Sequence, residues 1–200
     1  YDGILAGKAY MVAKALSIIT TMGRKLGLHL NPAKCEIHCH PASESAAFRL
    51  RKLARENGTC IPSDMMDCSG RFPLLGASIG PGKFDSEWVQ KSVIASSVEG
   101  LKTLCKLQDP QVAFTLLRGC TGFAQFVHYL RTTPLSPEFA QSAHVFDDNT
   151  IEAFAALFGQ VPKSALAQLR RPLRHGGLGV RSTAQFHAAA YAASVATCAK

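Results

Sequence analysis

The 200 residues include 47% hydrophobic and 18% charged side chains, enough to bury a real core in one domain or two small ones. The most apolar stretch, residues 188–196, is short and alanine-rich, whereas a membrane span needs about 20 consecutive apolar residues, so no membrane partner is expected. The formal net charge of +8 favours polyanions, and seven cysteines, odd in number and irregular in spacing, predict free thiols in a reducing intracellular compartment instead of a disulfide framework.

In chain order, residues 8–26 predict an amphipathic helix, because Val12, Ala15, Leu16, Ile19, Met22 and Leu26 recur at helical steps and Gly27 is placed to end it. Asn31-Pro32 marks a turn, and the alternation from Lys34 to His38 predicts a short strand. Ser43 to Asn57 reads as a second helix, capped by Ser43, with Phe48, Leu50 and Leu53 inward and Arg49, Arg51, Lys52 and Arg55 outward. Residues 57–71 read as a loop. Phe72 to Ile79, interrupted by Pro73 and Gly76, predicts a strand and a tight turn, and Gly80-Pro81-Gly82 then punctuates the chain.

From Ser86 onward the pattern is helical. Trp88, Val89, Val93, Ile94, Val98, Leu101 and Leu104 define one helix and Val112 to Leu130 a second. Pro137 to Phe158 gives one or two more, and Ala184 to Ala199 the last, with Pro134, Pro137, Pro162 and Pro172 as separators. The fold class is therefore α+β: residues 1–82 with short antiparallel strands and helices, residues 83–200 mostly α-helical.

Three segments in order carry more than pattern: Tyr1-Asp2-Gly3-Ile4-Leu5-Ala6-Gly7, then Gly27-Leu28-His29-Leu30-Asn31-Pro32-Ala33-Lys34-Cys35-Glu36, then Leu74-Leu75-Gly76-Ala77-Ser78-Ile79-Gly80. Together they resemble the reverse transcriptases of non-LTR retrotransposons and related mobile elements. The resemblance implies that residues 1–82 are the C-terminal part of a polymerase palm and 83–200 a thumb-like region. It makes Asp2 the second aspartate of a metal-binding pair, Tyr1 the aromatic beside it, Lys34 a cation near the triphosphate, and Leu75-Gly76 a bend near the primer. The chain reads Tyr-Asp-Gly where the family has two adjacent aspartates, and the family's upstream aspartate is not in it. The implied partners are an RNA template, a DNA primer and dNTPs.

Nucleotide addition uses two magnesium ions about 3.5–4 Å apart, clamping the attacking and leaving oxygens. One aspartate cannot hold both, so Mg2+ is expected in the parent enzyme only, and the chain, which starts at Tyr1, is expected to be an inert piece of something longer. The plain readings of Lys34 and Gly76 are an exposed strand lysine and a turn glycine.

Arg170, Arg171 and Arg174 open a basic, glycine-bearing stretch to Arg181 that could track a phosphate backbone, its glycines presenting N–H groups to anions; the plain alternative is a solvated connector. Phe146-Asp147-Asp148 copies the aromatic-Asp-Asp pattern but reads as a helix cap ahead of Asn149. Cys35, His38, Cys39 and His40 are too compact for the usual zinc spacing and read as core thiols and surface histidines. Two other functions fit the same chain: a non-catalytic nucleic-acid-binding module derived from a mobile element, and an unrelated basic helical interaction protein.

Overall fold

The computed structural model describes residues 3–80 and 82–199. The chain divides into two units, Tyr1–Phe72 and Pro73–Lys200. It is α+β: mostly helical, with four short strands in two small sheets among the described residues.

The first unit opens with α1 (Ala9–Lys25), which ends as the sequence suggests: Gly27 adopts φ 75° and the Leu28 N–H reaches back to the Gly23 carbonyl at 2.9 Å. Its buried face differs from the expected one. Ala13 and Leu16 meet the core, whereas Ile19, Met22 and Leu26 are exposed. The helix packs on α2 (Glu44–Glu56) through one narrow stripe, which leaves the apolar row beside it in solvent.

Strands β1 (Ile37–His38) and β2 (Met66–Asp67) pair in parallel, with Ile37 opposite Met66 and His38 opposite Asp67. For this pair the expectation of antiparallel strands is corrected. Parallel neighbours need a crossover, and α2 supplies it. Ala47 and Ala54 let α2 approach Ile37 and Ile61 closely, and these four side chains form the unit's core.

Two orientations on α2 are reversed from expectation. Phe48 is half-exposed, and Arg51 turns inward, where its Nε donates to the Ile61 carbonyl at 2.9 Å and satisfies a group that would otherwise lack a partner. Ser43 occupies the cap position without making a side-chain cap bond; His40 Nδ1 accepts the Ala42 N–H in the preceding turn instead.

In the second unit, β3 (Phe72–Leu74), whose first residue closes the first unit, and β4 (Ala77–Ile79) form a hairpin across Leu75-Gly76, and β4 lies on α3 (Gly82–Val89) and α6 (Phe123–Thr132). α3 runs through a π turn at Gln90–Ile94 into α4 (Ala95–Leu104). The helix expected over 112–130 is two. α5 (Pro110–Leu116) passes into a π turn at Leu117–Thr121, and Gly122 then leaves helical geometry (φ −93°, ψ −129°) before α6. α7 (Pro137–Phe158) is one unbroken helix; α8 (Leu166–Arg170) and α9 (Thr183–Cys198) follow.

Val89, Val93, Ile94, Phe126, Leu130, Phe139 and Phe146 form one core, with the Phe126 and Phe146 rings 4.7 Å apart. Leu101, Leu104, Leu117, Phe154, Leu169 and Val180 belong to a second. Every member expected from the Trp88–Leu104 periodicity is buried in one of these cores or packed against one. No helix among the described residues is long and apolar enough to cross a membrane.

Candidate nucleic-acid interface

Tyr1 and Asp2 lie outside the described residues. Lys34 is exposed, but it sits in a single 3₁₀ turn, Pro32–Lys34, and not on a strand. Asn31 forces that turn: its Oδ1 accepts the Ala33 N–H at 3.1 Å, and Pro32 fixes the first φ. Lys34 belongs to the first unit and Leu75-Gly76 to the second.

At the hairpin tip Leu75 has φ 49° and Gly76 φ 81°. Two-residue hairpins favour positive φ at both positions because that twist matches the strands. Glycine accepts it freely. For leucine the left-handed region costs about 1–2 kcal/mol. Leu75 is the one non-glycine residue with positive φ among the described residues, and its side chain is 75% exposed. The hairpin therefore holds an apolar side chain out in solvent at a conformational cost. His128 lies beneath the turn, its Nε2 3.7 Å from where a Gly76 Cβ would stand.

Below the tip the hairpin rests on a polar seam. Ser78 and Asp85 are both buried, and neither Ser78 Oγ nor Asp85 Oδ1 has a hydrogen-bond partner. Burial pushes the Asp85 carboxyl above its ordinary value, and the nearby Ser78 hydroxyl opposes that shift without reaching hydrogen-bond geometry.

Of the two expectations for the basic stretch, its backbone follows the connector and not the anion-presenting one. The backbone N–H groups from His175 to Val180 are all spent inside the loop: His175 and Gly177 donate to Pro172, Gly176 to Leu173, Leu178 to Gln168, Gly179 to Arg171 and Val180 to Leu169. They present nothing to an anion. Gly177 is needed for another reason, since a Cβ there would run into the Arg171 carbonyl oxygen. What the loop does present is side chains. Arg171 and Arg174 are exposed and Arg170 half-buried.

The fold adds two further arginines to these three. Arg118 packs along the loop, its Cδ 3.2 Å from the Cβ position of Gly179, with its guanidinium 5.6 Å from the centre of the Phe114 ring. Arg181 lies 5.6 Å over Phe123, and it lines one shallow hollow together with Arg170. Stacking on aromatic faces holds a guanidinium in place while its N–H edge stays free. Among the described residues the only basic side chains within 4.0 Å of a carboxylate oxygen are those of His38, beside Glu36 and Asp67. None of the five arginines has a carboxylate partner within that distance among the described residues.

Asp147 is a structural anchor. It lies within α7, so it does not cap the segment from Asn149; it caps another helix. Its buried carboxylate accepts the Thr183 N–H at 2.7 Å, the Ala184 N–H at 3.4 Å and the Ser182 hydroxyl, and Thr183 Oγ1 lies 2.8 Å from it. These are the orphan donors of the α9 N-terminus, where a negative charge is favoured. His187 fixes the next turn of α9, its Nε2 donating to the Thr133 carbonyl at 3.0 Å while its ring lies 4.6 Å from that of Phe139.

In the first unit Cys35 and Cys39 border the core, as expected, and His40 is exposed. His38 is not a surface histidine. It is half-buried, stacked 4.3 Å from the Phe72 ring, with Nε2 2.8 Å from Glu36 Oε2. No group of three or more His, Cys, Asp or Glu side chains that could hold a metal ion is gathered among the described residues. Comparison of the chain with protein-family models, with curated proteins and with solved structures finds no match.

Proposed function

We propose that this chain is the palm end and thumb-like portion of a reverse transcriptase, and that its own part in DNA synthesis is to hold the RNA template and DNA primer. The polymerase class rests on the three ordered segments that resemble the family. The holding role rests on one observation, the five arginines gathered around the Leu173–Val180 loop with no carboxylate partner among the described residues. Charges left unpaired by the protein release counterions when they meet phosphates, and aromatic support keeps two of them oriented. Leu75, kept in solvent at the hairpin tip, is the apolar contact for a base or sugar near the primer end.

The chain brings at most one catalytic carboxylate, Asp2, to a reaction that uses two metal ions. It therefore binds without polymerising. The test is a pair of assays on the whole chain with an RNA–DNA primer–template: equilibrium binding, and primer extension with dNTPs and magnesium. Salt-sensitive binding with no product above a heat-killed control is the expected result. Absence of binding at low salt would remove the holding role, and extended product would show that this chain's single catalytic aspartate suffices for synthesis.

A further inference from the structure

The first unit holds a pair of reactive groups that the nucleic-acid reading does not use. The parallel ladder pairs Ile37 with Met66 and His38 with Asp67, and the Cys39 N–H donates to the Asp67 carbonyl at 3.0 Å. That bond carries the register one residue further, so Cys39 stands opposite Cys68. Partners at one level of a parallel pair point to the same face, and both cysteines border the cluster around Ile37. Neighbouring strands lie about 4.8 Å apart, inside the roughly 4.4–6.8 Å Cα separation that a disulfide bridges. Both residues are half-buried. Cys35, on the same face, is committed elsewhere: its thiol donates to the Asn31 carbonyl at 3.3 Å.

We propose that Cys39 and Cys68 are a thiol–disulfide exchange site that closes into a bridge between β1 and β2. The oxidant is a low-molecular-weight disulfide such as oxidised glutathione. The Cys68 thiolate attacks one sulfur of it, breaking its S–S bond, forming a mixed disulfide and releasing one glutathione thiolate, which takes up a proton. Cys39 then loses its proton to solvent, attacks the Cys68 sulfur and expels the second glutathione. Two electrons pass from the protein to the oxidant, and two glutathione thiols leave. Burial, the Cys68 thiol and the charges of Glu44 and Asp67 push Cys39 up to about 11. Cys39 is therefore the resolving thiol, and closure speeds as pH rises toward that value.

The test is a peptide map of the whole chain, reduced, exposed to oxidised glutathione, quenched with iodoacetamide and digested without reductant. The expected result is a peptide joining Cys39 to Cys68, loss of alkylation at both, and an unfolding midpoint that rises on oxidation and falls back with dithiothreitol. In Cys68→Ser, Cys39 is expected to stay alkylatable; should that variant not fold, the wild-type map decides alone. Recovery of both residues as alkylated thiols, as separate glutathione adducts, or with Cys39 joined to another cysteine would overturn the proposal.

Discussion

Leu75 occupies a position that glycine or asparagine would fill at little cost, and it keeps its side chain in solvent. Leu75→Asn is expected to raise the stability of the second unit by about 1 kcal/mol, read from its urea midpoint, because asparagine tolerates the left-handed region. The same exchange removes the proposed apolar contact, so primer–template binding should weaken as stability rises. Asp147 makes the opposite case. Asp147→Ala leaves several buried donors of α9 unsatisfied and is expected to cost on the order of 3 kcal/mol in unfolding free energy. A loss below about 0.5 kcal/mol, the size of a plain surface exchange, would contradict the anchoring role.

Asp85 gives a pH signature. Its folded pKa is raised above the ordinary 3.8, so the native state holds the proton more tightly than the unfolded chain does. Stability from this group is complete below 3.8 and is lost as pH rises through the raised value. Asp85→Asn is expected to flatten that decline and to leave the unit more stable at neutral pH, measured by denaturant midpoints across the pH range. Wild-type and variant curves that run parallel would sink this account. The sequence announced the turn at Leu75 but neither carboxylate's role. Asp147 and its partners are 35 or more residues apart in the chain, and a carboxylate's partner cannot be read from its neighbours in sequence.

At the scale of elements, helices were legible where one face meets one core. The Trp88–Leu104 periodicity matches the buried side chains because α3 and α4 each lie on a single packed layer. It failed on α1 and α2, where small alanines set the approach and large apolar side chains such as Met22 and Phe48 remain exposed. It also missed the break at Gly122, which a π turn introduces and which hydrophobic spacing does not encode.

Two glycines separate close packing from mere flexibility. Gly177→Ala would drive a methyl group into the Arg171 carbonyl and is expected to cost about 3 kcal/mol. Gly100→Ala, in the interior of α4 with nothing within 4 Å of the new Cβ, is expected to stabilise by about 1 kcal/mol. Thermal unfolding of the two variants checks both signs.

For the molecule as a whole, the net charge favoured a polyanion, and the stretch from Arg170 to Arg181 offered one place that could track it. Of the two readings of that stretch, the one with N–H groups turned to an anion is not what its backbone does. Its glycines shape a self-satisfied loop and its charge lies in side chains, while two further arginines, Arg118 and Arg181, are set by aromatic rings on α5 and α6. Neither Phe114 beneath Arg118 nor Phe123 beneath Arg181 could be paired with its cation from spacing alone, because tertiary packing makes the match.

The central claim is that this arginine surface meets phosphate. Its most direct measurement is the dissociation constant for a primer–template duplex across a series of salt concentrations, for the wild-type chain and for the triple variant Arg170→Ala, Arg171→Ala, Arg174→Ala. The wild type is expected to show a steep log–log salt dependence that becomes shallower by about one unit for each phosphate contact removed. A triple variant that folds and binds with an unchanged slope would contradict it.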